Sequence, residues 1–168
     1  GDATTFSVTG ELIFAGRLGG GLSSEPIPLD GGRVLVTSTK GISWILDASH
    51  KVIDRLPSPM PYGGVHPMRL ADGGVVFTGA QGELLLLNSD GSIRARLDLG
   101  DWIAASPAQA SDGTLHFLAG THATLYRVRP DGTMLGSTRL FLDRTLIGSP
   151  VQLSDGSWAV AEARGTMH

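Results

Sequence analysis

An all-β architecture of repeated four-stranded units is predicted by three features of the sequence. Glycine is abundant, 24 of 168 residues, while only 17% are charged, a balance that suits many tight turns. A proline followed by Asp-Gly recurs four times: EPIPLDGG at 25–32, HPMRLADGG at 66–74, SPAQASDGT at 106–114 and SPVQLSDGS at 149–157. Pro26, Pro67, Pro107 and Pro150 are spaced by 41, 40 and 43 residues, a repeat period. Between the turns lie short alternating apolar runs, too brief and too often interrupted for helices.

Within each unit the elements follow one order. Strand A starts at the proline, where a missing N–H costs no ladder bond. Asp-Gly then closes a hairpin, at Asp30, Asp72, Asp112 and Asp155, and predicts a type I′ turn with positive φ at both central residues. Strand B is RVLVTST, VVFTGA, TLHFLA or SWAVAEA, and a glycine turn follows at Gly41, Gly82, Gly120 or Gly165. Strand C is ISWILD, ELLLLN or TLYRV. A second turn is SDG at 89–91 and PDG at 130–132; in ASHK, His50 takes the glycine's place. Strand D ends in Arg55-Leu56, Arg96-Leu97 or Arg139-Leu140, arginines that guard a sheet edge. A linker of roughly ten residues leads to the next unit.

These rules place complete units at 25–65, 66–105 and 106–148. Residues 1–24 read as strands C and D: TTFSV, a turn at Thr9-Gly10, then ELIFAGRL ending in Arg17-Leu18. Residues 149–168 read as strands A and B, with Thr166, Met167 and His168 opening a third strand. A lone four-stranded sheet has two apolar faces to bury, and packing such sheets around an axis buries both. The expectation is therefore a β-propeller with blades of about 41 residues, four blade equivalents in this chain. It is read as half of an eight-bladed ring, completed by a second copy or by the remainder of a longer propeller chain. A closed four-bladed ring is the alternative.

The stretch SPAQASDGTLHFLAGTHATLYRVRPDGTMLGSTRL resembles the PQQ-like repeats of quinoprotein-type β-propellers. That resemblance spans nearly the whole chain. It implies kinship with a superfamily holding both quinoprotein alcohol dehydrogenases and the non-enzymatic propeller lipoprotein of the outer-membrane β-barrel assembly machinery. The superfamily's frequent Ala-x-Asp-x-x-Thr-Gly-Lys-x-x-Trp segment survives only as RVRPDGTMLGS or LNSDGSIRAR, without the Trp. This departure points toward the non-enzymatic branch, with no cofactor expected.

Composition narrows the function classes. The chain has no cysteine, which removes disulfides, thiolate metal sites and thiol nucleophiles. A net charge of -3, with 11 Arg and 2 Lys and no basic run, gives no footprint for nucleic acid. No apolar run reaches the roughly 18 residues of a membrane span. The five histidines, His50, His66, His116, His122 and His168, have no metal-ligand spacing. The Asp residues belong largely to turns, so neither a catalytic nor a metal constellation is predicted.

Candidate binding residues come from strand A, the innermost strand of a blade. Its polar side carries Glu25, His66, Arg69, Gln109 and Gln152, a ring at the channel mouth able to hold a small polar ligand or a peptide. The plainer alternative is that these side chains only line a watered channel. Met60, Tyr62 and Trp102 in the linkers are candidate surface contacts, since aromatic residues are enriched at interface hot spots. The leading functional expectation is a non-catalytic propeller for protein–protein interaction, periplasmic or extracellular, with an envelope protein as partner. A fragment of a PQQ-dependent dehydrogenase is one alternative. A glycan- or small-ligand-binding propeller is another, weakened because Trp44, Trp102 and Trp158 fall at unlike positions.

Overall fold

The computed structural model describes residues 2–6, 12–18, 21–59, 66–103, 105–120, 123–140 and 146–162. Among them are sixteen strands, and every paired strand is the antiparallel neighbour of one adjacent in sequence. The first four-stranded sheet holds β3 (Ile27–Pro28), β4 (Val34–Thr37), β5 (Ile42–Leu46) and β6 (Val52–Pro57). The second holds β7 (Met68–Arg69), β8 (Val75–Thr78), β9 (Glu83–Leu87) and β10 (Ile93–Asp98). The third holds β11 (Ala108–Gln109), β12 (Leu115–Ala119), β13 (Thr124–Val128) and β14 (Met134–Arg139). Two hairpins flank them in sequence: β1 (Asp2–Phe6) with β2 (Leu12–Arg17), and β15 (Leu146–Gln152) with β16 (Trp158–Glu162). These are three four-stranded sheets, here called blades, and two two-stranded hairpins, here called half-blades.

Each C–D pair carries a register shift at the same place, just before its turn: at Ile45/Leu46, Ile93/Ala95, Arg127/Val128 and Thr5/Phe6. The shift aligns Phe6 with Leu46, Leu87 and Val128. The β1–β2 hairpin thus has the register of a C–D pair.

The blades stack through their apolar faces, because strand alternation sends successive side chains to opposite sides. Ile27, Leu29, Leu35 and Ile45 of the first blade meet Val75, Phe77, Leu85 and Leu87 of the second. On the second blade's other face, Leu70, Val76, Leu84 and Leu86 meet Leu115, Phe117 and Val128 of the third. Leu118 and Ala123 of the third meet Val160 of the last half-blade. Val36, Trp44 and Leu46, on the first blade's back, are covered in part by Leu18 and Leu22.

Four expectations need correction. The Asp-Gly hairpins are not type I′: among the described residues only His50 and Ala123 have positive φ without being glycine. Instead Gly73 N–H donates to Leu70 C=O (3.0 Å) and Leu70 N–H to Gly74 C=O (2.7 Å). In the second blade this is a three-residue loop closed by a left-handed glycine, whereas in the first blade Gly31 and Gly32 are both left-handed (φ 70 each). The Asp side chain selects the three-residue loop by accepting the N–H two residues on: Gly74 from Asp72, Thr114 from Asp112, Ser157 from Asp155. Second, the B–C turn of the third blade has one extra residue, and Ala123 (φ 50), not Gly120, takes the place of Gly41 and Gly82. Ala123 C=O accepts Leu140 N–H as Gly41 accepts Ser58 and Gly82 accepts Leu99. Third, the arginines are not all equivalent. Arg55 and Arg96 pair with Trp44 and Leu85, whereas Arg139 and Arg17 pair with Thr124 and Asp2, two residues further along. Period-two alternation keeps Arg55, Arg96 and Arg139 on one side of strand D. Fourth, Leu146–Gly148 is not linker but the start of β15, which passes through Gly148 (φ 78) before reaching Pro150.

His50 does stand in the left-handed turn position, at φ 64. The expected features at Thr9-Gly10, Met60, Tyr62, His122 and Gly165 to His168 lie outside the described residues.

Candidate channel-mouth site

The short A strands bring the starts of successive blades side by side. At the seam between the first and second blades, Ser24, Glu25, Pro26, Ile27 and Pro28 face His66, Pro67 and Arg69 across a cleft of about 530 Å³. Three of the five residues expected to form a ring, Glu25, His66 and Arg69, are thus brought into one cleft, and all three are exposed.

His66 is held by its neighbours. Its Nδ1 lies 3.1 Å from the carbonyl oxygen of Ser23, so the Nδ1–H tautomer donates to it. Its backbone N–H donates to Ser106 Oγ (3.4 Å), linking the starts of the second and third blades. Ser106 occupies the same slot before its proline as His66 does. On the facing wall, Ser23 and Ser24 Oγ each sit 2.7 Å from Thr37 Oγ1, fixing the segment that carries Glu25.

Gln109 and Gln152 have another task. Gln109 Oε1 accepts Ala71 N–H of the preceding blade (2.8 Å), and Gln152 Oε1 accepts Ser111 N–H (3.0 Å). Each pins its blade to the A–B turn before it. Arg69 stands in the same slot at the first seam and carries no acceptor. There Asp30 N–H donates instead to Ser89 C=O (2.8 Å). The cleft lies at the seam where Arg69 takes the glutamine's place. The pins were missed in the sequence because a strand-A glutamine reads equally as channel lining.

Trp102, expected to be exposed, is half-buried. Its carbonyl accepts Gly120 N–H (2.8 Å) and its own N–H donates to Asp101 Oδ1, so it ties a linker to the third blade.

Two further clusters lie away from the mouth. Arg94 joins Asp72 (2.8 Å), Asn88 Oδ1 and Pro130 C=O, spanning the second and third blades. Burial raises the Asp72 pKa, but the Gly74 N–H and Arg94 outweigh it and hold the carboxyl below its usual value. His116 is buried between the third blade and the last half-blade, its ring centroid 4.0 Å from that of Trp158. Burial lowers its pKa, offset in part by the Thr114 backbone and by Asp112. Among the described residues no group of three or more His, Asp or Glu is placed to hold a metal ion. None of the described helices is long and apolar enough to cross a membrane.

No protein-family model matches the sequence, and no curated protein does. Solved structures do match. BamB from Moraxella catarrhalis superposes with a TM-score of 0.70 at 15% identity, over 99% of this chain and 51% of that one. A catalytically inactive virginiamycin B lyase from Staphylococcus aureus, solved with quinupristin, matches at 0.65 and 15%, over 99% and 61%. The WD40 β-propeller domain of Doa1 matches at 0.63 and 15%, over 99% and 56%. The chain therefore has a β-propeller fold like that of BamB, and it spans about half to three-fifths of the length of these structures.

Proposed function

We propose that this protein is a non-catalytic propeller that holds a protein partner at its channel mouth, in the cell envelope. The observation that carries the reading is the cleft at the first seam. Glu25 and Arg69 set opposite charges on its rim, His66, its Nδ1–H committed to Ser23, offers its other ring nitrogen, and Pro26, Pro28 and Pro67 supply rigid apolar walls. Such a surface suits an extended peptide segment with charged side chains: proline walls lose no conformational freedom on binding, and paired opposite charges select a register. The envelope setting rests on the likeness to BamB. Propellers also host enzymes, including the lyase above, so the reading rests on the cleft and not on the fold.

The test is affinity capture from envelope and cytosolic fractions with the wild-type chain and a Glu25→Ala/Arg69→Ala variant. Support is a protein taken from the envelope fraction by the wild type and lost with the variant. Equal capture by both, or oxidation of alcohols after loading with quinone and Ca²⁺, overturns it.

A further inference from the structure

We propose that the seam between the third blade and the last half-blade is a pH-responsive joint: a proton taken up by His116 loosens it, while the aliphatic second seam stays closed. The inference does not depend on what the cleft binds.

Equivalent positions supply the first ground. Ile27 opposes Leu35, Met68 opposes Val76 and Ala108 opposes His116 across the A–B pairs. His116 therefore stands where the first two blades carry Leu35 and Val76. One step along, Arg69, Gln109 and Gln152 oppose Val75, Leu115 and Trp158, so these three are equivalent too. At the first seam Leu35 and Val75 belong to one core cluster, and at the second Val76 and Leu115 belong to another; all four are 0% exposed. At the third seam the same two slots hold His116 and Trp158, with ring centroids 4.0 Å apart. A titratable ring thus replaces an aliphatic side chain at the centre of one seam.

The surroundings of the ring supply the second. His116 is 5% exposed, and its Nδ1 makes no hydrogen bond among the described residues. A charge placed there leaves water without gaining an acceptor, which is costly. Arg127, paired with His116 across β12 and β13, opposes a second positive charge. Asp112, in the A–B turn of the same blade, favours the proton, as does the Thr114 backbone, but its carboxylate already accepts Thr114 N–H (2.9 Å). On β11 the residue opposite is the uncharged Ala108. Among the described side chains of the β15–β16 hairpin only Asp155 is charged, and it accepts Ser157 N–H and Oγ–H. The Trp158 ring offers a cation some attraction. Burial outweighs the favourable contributions and holds the His116 pKa below its ordinary value of 6.5.

Opening the seam hydrates the ring and returns its pKa toward 6.5, so the open form takes the proton first. The seam is fully held above about pH 6.5 and weakens as the pH falls, by up to about tenfold in the closed-to-open ratio per pH unit. The second seam, built on Val76 and Leu115, has no proton to take at these positions.

Two hydrogen bonds of the same kind report on the two seams. Ser111 N–H donates to Gln152 across the third, and Ala71 N–H donates to Gln109 across the second. The experiment is amide hydrogen exchange by NMR between about pH 7.5 and 5.5, corrected for the intrinsic rate at each pH. Expected is a loss of protection at Ser111 below about pH 6.5, by up to about tenfold per unit, with Ala71 unchanged. His116→Leu, which installs the residue of the first blade's slot, removes the loss; His116→Gln does the same if the leucine variant misfolds. Equal pH dependence at Ser111 and Ala71, or a loss at Ser111 that persists without His116, would overturn the inference. A Ser111 amide already unprotected at pH 7.5 would overturn it as well, since the seam would then not be closed.

Discussion

Substituting one turn position in successive blades should give effects of opposite sign. The left-handed residue of the C–D turn is His50 in the first blade, Gly91 in the second and Gly132 in the third. An L-residue there costs about 1–2 kcal/mol, offset by about 0.4–1 kcal/mol because alanine has less freedom than glycine to lose on folding. Packing separates the two glycines. A Cβ on Gly132 would lie 2.5 Å from Ala95 Cβ of the preceding blade, an atom fixed to the backbone. A Cβ on Gly91 would lie 2.5 Å from Ile45 Cδ1, the movable end of a side chain. Overpacking that cannot relax costs about 1–3 kcal/mol. Gly132→Ala should therefore destabilise by about 2–3 kcal/mol and Gly91→Ala by about 1–2 kcal/mol. Gly113 has the same backbone sign in an A–B turn but nothing nearer than 3.9 Å, so Gly113→Ala should cost only about 0.5–1 kcal/mol. His50→Gly relieves the strain and should stabilise by up to about 1 kcal/mol. Urea denaturation followed by tryptophan fluorescence at fixed protein concentration gives all four values. A Gly132→Ala variant no less stable than Gly113→Ala would mean that the turn does not seat against the neighbouring blade.

Other expectations are simpler. Leu85 and Leu86 are fully buried on opposite faces of one strand, and truncating either to alanine should cost about 2–5 kcal/mol by denaturant melt; neutrality of both would refute the stacking. Gln109→Ala leaves Ala71 N–H without its acceptor and should cost about 0.5–1.5 kcal/mol, visible as faster hydrogen exchange at Ala71. His116 has a folded pKa below its unfolded value near 6.5, so the unfolded chain takes up the proton first. The stability it permits is complete above about pH 6.5 and falls as the pH drops toward the folded value. Melts between pH 7.5 and 5 should show this decline, and His116→Gln should flatten it; an unchanged slope would exclude His116 as the cause.

The propeller was legible because its elements are local. Asp72 and Gly73 determine a turn from four consecutive residues, and the run from Glu83 to Leu87 announces a strand buried on both faces. Details that depend on a competing bond were harder to read. Whether Asp-Gly makes a two- or three-residue loop depends on where the carboxylate points, and Asp72, Asp112 and Asp155 all take the backbone two residues on. Ala123 was hidden because glycine is the usual left-handed residue, and Gly120 nearby also has positive φ. The sequence grouped Glu25, His66 and Arg69 in one candidate ring, and all three line the cleft at the first seam. It did not separate Gln109 and Gln152 from them, because the partners of both amides are turns some forty residues away.

The strictly sequential pairing of strands bears on how the molecule is made. Each blade closes by hairpins between neighbouring segments, so little chain entropy is lost before contacts form. Blades can therefore fold as they leave the ribosome and dock one after another, as in other repeat proteins. Every docking event covers one apolar face and presents a fresh one. The growing stack is never finished by adding a further blade of the same kind; it is finished only when its last face meets its first. Assembly is thus a series of easy local steps followed by one cooperative closure, and that closing step is where chaperones or high local concentration would have most effect.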